Sequence, residues 1–226
     1  MTTTRLPARL ATILAGGALL AACSGAADTP AAEPEASPQD AFFAALSTHC
    51  GNAYAGELVS ADEADADFAG AAMVMHVSEC SDERIAVPFH VEIANEDGEP
   101  EWDRSRTWVI TRTGSGLRLK HDHRHEDGEP DAVTLYGGDT ADEGTASAQD
   151  FPVDQYSIDM FEREGLTASV TNVWTVEVDP QGADDAAFAY QLRRTVENGA
   201  PEDRFFRVEF DLTQPVEAPP AAWGWE

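Results

Sequence analysis

The sequence has few basic residues: 14 Lys and Arg stand against 42 Asp and Glu, which gives a formal net charge of −28. A surface of this charge repels nucleic acid and anionic lipid headgroups, because both are negatively charged themselves. The acidic residues are spread over many predicted turns rather than collected in one run. Binding to DNA or RNA is therefore excluded, and the acidic residues are expected to form a solvated surface.

The sequence also lacks a hydrophobic run long enough to cross a membrane as a helix. The apolar stretch 10–20 has about 11 residues, whereas a transmembrane helix needs about 20. It follows Arg5 and Arg9 and ends in small residues before Cys23. This three-zone pattern is typical of a secretory signal peptide, so we predict that residues 1–22 are a signal peptide.

The segment Leu20-Ala21-Ala22-Cys23 resembles the lipobox of bacterial lipoproteins, in which the cysteine is acylated and becomes the new N-terminus. The resemblance implies a mature protein that begins at Cys23 and is held at a membrane by several acyl chains, since one chain alone binds only marginally. Ser24, rather than aspartate, follows the cysteine, which by the same resemblance favours the outer membrane over the inner one. The alternative is an ordinary signal peptide whose cleavage site happens to precede a cysteine.

Cysteine is scarce, with three residues in the whole chain. If Cys23 carries lipid, Cys50 and Cys80 remain as an even pair in an oxidising compartment. A disulfide between them would close a loop of about 31 residues and could stabilise the fold by roughly 3 to 4 kcal/mol by restricting the unfolded chain. Two separate buried thiols, or a metal site that contains cysteine, are the alternatives.

The chain then divides into a tether and one domain. Residues 23–38 are the lipidated cysteine and a stretch of mainly Ala, Pro, Glu and Ser, which predicts a flexible tether. Ser37-Pro38-Gln39-Asp40 has a capping hydroxyl, a proline at the first helical position and an acid in the first turn, so it predicts a helix start. Residues at helical spacing form one apolar side before Gly51, a typical stop. They are Phe42, Phe43, Leu46 and Cys50.

Residues 39–226 are predicted to form a single β domain. Short runs of β-forming residues alternate with turns that contain Gly, Asp or Asn, at intervals of about 10 to 15 residues. The predicted strands are 54–59, 72–78, 84–93, 106–112, 117–125, 132–136, 145–151, 171–178, 188–195 and 204–212. Residues 154–163 fit a short helix or an irregular crossover. The proline-containing stretch 214–226 predicts an extended tail that lays Trp223 or Trp225 across the domain.

Sequential hairpins of this kind predict an all-β fold, either an antiparallel up-and-down barrel or a two-sheet sandwich, with one short N-terminal helix. Turn residues at 95–98, 113–116 and 126–128 supply the hairpin connections. The hairpins and the leading helix favour the barrel, which also leaves no exposed sheet edges.

The most unusual local pattern is the histidine strand, residues 117–125. Alternate residues of a strand share a face. One face is predicted to carry Leu117, Leu119, His121, His123 and His125, and the other Arg118, Lys120, Asp122 and Arg124. Because the leucines belong to a core face, the histidines should continue that face to the end where a barrel interior opens to solvent.

Two hypotheses explain these histidines. Alternate strand positions lie about 6.6 Å apart, so His121 and His123 could bind one Zn²⁺ or Cu²⁺ at about 2.0 to 2.1 Å, with His76 or His90 as the third ligand. The other hypothesis is a polar network of histidines with carboxylates and tyrosine hydroxyls. Its predicted partners on the preceding strand are Asp103, Arg104 and Arg106.

The sequence carries no motif for a nucleophilic enzyme: it has no Gly-x-Ser-x-Gly, no His-Glu-x-x-His and no phosphate-binding loop. An acid/base or metal-dependent hydrolase that uses His121, His123 and Asp122 is therefore kept only as an alternative. Gly137-Gly138 is predicted to be a turn or a bulge rather than a ligand loop.

Three segments, residues 103–108, 119–128 and 136–138, resemble those of a family of uncharacterised small bacterial secreted proteins and lipoproteins, over most of the chain from Phe42 to Trp223. That resemblance implies no activity, cofactor or catalytic residue. Residues 50–56 are loosely similar to the Gly-x-Trp start of lipocalin-like barrels, with Tyr54 in the place of the tryptophan. This second resemblance implies a barrel with an unspecified ligand.

Together these patterns predict a lipid-anchored envelope protein whose β domain binds a small ligand or a metal in a pocket of histidines and arginines. A hydrolase and a purely structural envelope protein are the alternatives.

Overall fold

The computed structural model describes residues 1–4 and 36–226. Most of the predicted signal peptide, the lipidation site Cys23 and most of the predicted tether fall outside the described residues. Within the described part, no helix combines the length and the hydropathy needed to cross a membrane.

Two α-helices form where the sequence supplies caps. Helix α1 spans Pro38–Ser47, and its first turn is capped by the Ser37 hydroxyl, which accepts a hydrogen bond from the Asp40 N–H at 3.1 Å. Helix α2 spans Gln155–Arg163 and is capped by Asp154. Both helices lie where the sequence predicts them. For residues 154–163 the structure therefore confirms the short helix and not the irregular crossover.

The remaining elements are strands and short 3-10 helices. The strands are β1 Ala53–Leu58, β2 Met73–His76, β3 Glu79–Cys80, β4 Arg84–Ala94, β5 Pro100–Thr113, β6 Gly116–His123, β7 Tyr136–Asp139, β8 Ala148–Pro152, β9 Val173–Val178, β10 Ala187–Arg194 and β11 Arg204–Val216. The 3-10 helices are Glu63–Phe68, Thr167–Ser169 and Val196–Asn198.

Ten of these strands form one antiparallel sheet in the order β7-β6-β5-β4-β2-β1-β11-β10-β9-β8, with the short β3 paired to β4 beside it. The sheet curls into a nearly closed barrel. The predicted barrel is therefore confirmed. Alternation places one side of each strand in the core, as in β9, where Trp174, Val176 and Val178 are buried.

The seam between β7 and β8 closes through two glycines. The Asp154 N–H donates to the Gly137 carbonyl oxygen at 2.9 Å, and a Cβ added at Gly138 would lie only 1.7 Å from the Pro152 carbonyl oxygen. The prediction of a turn or bulge at Gly137-Gly138 was wrong. The glycines lie in a strand, because only a residue without a side chain lets the two backbones approach this closely.

The predicted strand 132–136 is displaced to β7. Residues 132–135 form a loop in which the Thr134 hydroxyl accepts the His123 N–H at 2.8 Å and the Leu135 N–H donates to the His121 carbonyl at 2.6 Å. Leu135 has a φ of 57°, a left-handed conformation that is rare for a bulky residue. The Thr134 hydroxyl therefore makes the hydrogen bond that a backbone carbonyl would make in a regular strand pair.

Cys50 and Cys80 form the predicted disulfide pair, with Cα atoms 6.2 Å apart. The bridge joins the turn after α1 to the short strand β3.

Helix α1 packs across one end of the barrel. The Gln39 amide donates to the Thr140 hydroxyl just beyond β7, and the His49 ring bonds to the Asp179 carbonyl just beyond β9, at 2.9 and 2.7 Å. Phe42 and Leu46 of α1 are fully buried in the core. The opposite end of the same strands is open.

The C-terminal tail lies on the outside of β5 and β6. The Trp223 N–H donates to the Arg104 carbonyl at 3.1 Å, and the Trp225 indole N–H donates to Asp122 at 3.0 Å. The tail was predicted to place a tryptophan on the domain, and it places both there. Its first residues, 214–216, belong to β11 instead of the tail.

Candidate functional site

A cavity of about 510 Å³ occupies the open end of the barrel. Its lining comes from β4, β5, β6, β7, β9, β10 and β11, from α2, and from the 3-10 helices and loops around them. Aromatic rings dominate the wall. They are Phe68, Phe89, Trp108, Tyr136, Phe161, Trp174, Tyr190 and Phe206.

The rings on one wall are held in a stack. Trp108 lies parallel to Tyr190 with centroids 4.4 Å apart, and to Phe89 at 4.9 Å. Stacked, buried rings of this kind have few alternative rotamers, so the wall is rigid and flat.

His121 forms part of the floor and is bonded at both ring nitrogens. Its Nε2 lies 2.7 Å from the Tyr190 hydroxyl and its Nδ1 lies 3.0 Å from the Tyr136 carbonyl oxygen. A carbonyl can only accept, so Nδ1 carries the proton and Nε2 accepts from Tyr190. Burial lowers the pKa of His121 to about 3. The ring is neutral at neutral pH, and no nitrogen lone pair is left for a metal ion.

His123 lies nearer the opening. Its Nε2 is 3.0 Å from the Tyr136 hydroxyl. Burial, helped by the positive charge of Arg106, lowers the pKa of His123 to about 4, and burial raises the pKa of Tyr136 to about 12. Both groups are therefore uncharged at neutral pH, and the pair forms a polar but neutral part of the wall.

Three arginines reach the cavity near its mouth. Arg106 is paired with Asp103. Arg204 is held by Asp65, with an Nη1–Oδ2 distance of 2.8 Å, and lies 3.2 Å from Asp62. The third, Arg194, lies 3.3 Å from Glu202. The mouth is thus the place where guanidinium groups meet an aromatic interior.

Of the residues that the sequence singled out, the structure brings His121, His123 and Arg106 together in the cavity. Asp103 contributes through its ion pair with Arg106. His125 lies beyond the end of β6, mostly exposed, with Nε2 3.7 Å from Asp131.

The other three predicted site residues lie on the outer face of the barrel. His76 and His90 alternate with core residues of β2 and β4, so their side chains point away from the interior. Arg104 donates to the Ala221 carbonyl of the C-terminal tail at 2.7 Å. The polar partners of the histidine face come instead from Tyr136 and Tyr190.

The proposed third metal ligand is therefore not beside His121 and His123. His76 and His90 are separated from them by the sheet itself. Among residues 1–4 and 36–226, no three His, Cys, Asp or Glu side chains are grouped so as to hold a metal ion. The donor set that the zinc or copper hypothesis requires is not assembled.

Asp122, which the hydrolase hypothesis uses, is also on the outer face of β6. It accepts hydrogen bonds from Trp225 and from Arg124, both at 3.0 Å. Its carboxylate anchors the tail on the face opposite the cavity histidines.

Sequence reasoning missed the second half of the cavity, above all Tyr190 and Arg194. The alternation that identified the histidine strand runs equally through β10, where Phe188, Tyr190, Leu192 and Arg194 share a face. That signal was present. The pairing of β10 with β9, which brings Asn172 beside Arg194, could not be predicted from the sequence.

Comparison of the chain with protein-family models, curated proteins and solved structures finds no match. The resemblance of three segments to a family of small secreted proteins stays a prediction.

Proposed function

We propose that this chain is a lipid-anchored protein of the bacterial cell envelope whose β domain binds a small molecule with an aromatic body. The single observation that carries the binding proposal is the aromatic cavity at the open end of the barrel. The location rests on the sequence pattern of residues 1–23.

The size and the lining of the cavity support binding. Ligand pockets for small molecules usually have about 300 to 1,000 Å³ and are mainly apolar, with a few placed polar groups. The cavity of about 510 Å³ fits that description, with aromatic walls and a small polar set at His121, His123 and the arginines. A barrel that served only as a support would fill its interior with side chains.

The bonding of the histidines favours binding over chemistry. His121 is fixed in one tautomer by Tyr190 and Tyr136, and His123 faces the Tyr136 hydroxyl. Their lowered pKa values make both poor proton acceptors at neutral pH. We therefore assign them to the shape and polarity of the wall, and not to acid/base catalysis.

The test is a titration of the full-length protein with N-phenyl-1-naphthylamine, an uncharged fluorophore that brightens in apolar surroundings. We expect saturable binding at one site. Ser169 lines the cavity, and Ser169→Phe should narrow it and weaken binding by about tenfold, the effect of losing a few buried contacts.

Thr167→Phe is the matched control, because Thr167 lies in the same 3-10 helix but is exposed and outside the cavity. It should leave the affinity unchanged. An unsaturable signal, or equal affinities in both variants, would mean that the cavity is not the binding site.

A further inference from the structure

Arg194 differs from the other two arginines of the cavity in its counter-ion. Asp65, which holds Arg204, has a side chain only 2% exposed, so that pair is shielded from solvent. Glu202, the partner of Arg194, is 71% exposed. An ion pair with so exposed a carboxylate is weak, because water and salt screen it. Arg194 is the least neutralised of the three.

The Arg194 side chain is nevertheless mostly buried. It is 10% exposed, and its Nε has no hydrogen-bond partner in the described part of the chain. A buried N–H without a partner is costly, and such groups in folded proteins are usually satisfied. The Nε–H is thus a donor that the described fold leaves free beside the cavity.

Asn172 supplies a second unpartnered polar atom, an acceptor rather than a donor. It is 4% exposed, lines the cavity, and its Oδ1 has no partner among the described residues. Val173 of β9 pairs with Arg193 of β10, so Asn172 and Arg194 follow as the next opposed positions, on the face that turns inward. This part of the aromatic cavity is therefore polar, and the cationic donor of Arg194 is the group that a carboxylate on a ligand can use.

The charge of the lining specifies the sign of the ligand's polar group. Three arginines and two aspartates, Asp65 and Asp131, line the cavity, and its histidines are neutral. Arg106 is paired with Asp103, and Arg204 with Asp65 and Asp62, whereas the carboxylate beside Arg194 is mostly exposed, so Arg194 supplies the positive charge that a ligand can use. Asp65 is already hydrogen-bonded to Arg204. Asp131 lies next to the His125 ring, at 3.7 Å.

We infer that the ligand is an aromatic carboxylate, whose ring packs against the stacked wall of Trp108 and Tyr190 and whose carboxylate pairs with Arg194. A guanidinium group donates charge-assisted hydrogen bonds to a carboxylate. Glu202 contacts the Arg194 guanidinium through Nη2 and, being exposed, can move into solvent when the ligand enters. This inference rests on the proposed function, since it names the ligand class of the same cavity.

The test compares 2-naphthoate with 2-naphthamide, which has nearly the same shape and no charge, by calorimetric titration of the full-length protein at pH 7. Wild-type protein should bind the carboxylate at least about tenfold more tightly, the effect of one buried charge-assisted hydrogen bond. Arg194→Gln should remove this preference. Arg193→Gln, the matched control, removes the same charge from the neighbouring exposed position and should keep it.

Glu202→Gln gives an independent measurement in a variant that leaves the buried residues intact. It removes the competing carboxylate, so the affinity for naphthoate should rise while that for naphthamide stays the same. An unchanged naphthoate affinity in Glu202→Gln, or a preserved preference in Arg194→Gln, would overturn the assignment of Arg194.

Failure of the carboxylate inference and failure of the proposed function give different results. Equal binding of both probes by the wild type overturns the carboxylate inference and leaves the proposed cavity function standing. Binding of neither probe, together with no binding of the uncharged fluorophore, overturns both.

Discussion

At the scale of single residues, the site is built from side chains whose protonation is fixed by burial. His121 and His123 are kept neutral because the cavity wall offers no solvent to their charged forms. The same burial couples their titration to folding, since the unfolded chain leaves both rings free to take up a proton near the usual pKa of 6.5.

This coupling predicts a loss of stability in mild acid. Because the folded-state pKa of His123 is about 4 and its usual value is 6.5, the unfolded state binds more protons as the pH falls below about 6.5, and stability falls with it. Between pH 7 and pH 5 one such group costs roughly 1 to 2 kcal/mol. Urea unfolding at the two pH values should show a smaller loss for His123→Gln than for the wild type.

His125→Gln is the control, because His125 is mostly exposed. Its loss of stability between pH 7 and pH 5 should equal that of the wild type. The same pH response in all three proteins would show that His123 is not buried as a neutral ring.

At the scale of elements, the barrel depends on the seam between β7 and β8. The backbone of β7 approaches Pro152 of β8 so closely at Gly138 that a side chain there is excluded. Glycine at this position therefore allows the two strands to meet.

Gly138→Ala should therefore open the seam. Its new Cβ would fall 1.7 Å from the Pro152 carbonyl oxygen, a backbone atom that cannot move without its strand. We expect a loss of about 3 kcal/mol or more in the free energy of unfolding, as for other overpacked sites. Thermal and urea unfolding measure it.

Gly114→Ala in the hairpin between β5 and β6 serves as the comparison, since a Cβ there meets nothing within 4 Å. It should be close to neutral. Equal stability of the two variants would mean that β7 and β8 are not in contact at this point.

Element types were predictable where local signals were strong. The cap at Ser37, the turn residues between β5 and β6 and the alternation in β9 each give a local reason for the element that forms. The displaced strand at 132–136 was not predictable, because a threonine hydroxyl replaces a backbone partner there. Half of the cavity could be predicted, because His121, His123 and Arg106 come from one hairpin. Arg194 joins them only through the pairing of strands that are distant in the sequence.

At the scale of the whole molecule, the proposed lipid on Cys23 can be tested directly. We expect Cys23→Ser to leave the domain folded and to release it from the membrane, because the variant lacks the thiol that would carry the lipid and the acidic surface repels anionic lipid. Membrane fractionation followed by immunoblotting measures the release, and the circular dichroism of the released protein checks the fold. Retention of the variant in the membrane pellet would contradict lipid attachment.

The order of strands in the barrel limits when the barrel can close during folding. In space β1 lies between β2 and β11, so the first strand of the chain pairs with the last, with Gly56 opposite Phe210. A chain that leaves the cytoplasm with its N-terminus first presents β1 long before β11 arrives, and one edge of β1 has to wait for its partner. If the chain is exported as proposed, the barrel and its cavity can form only after β11 has reached β1.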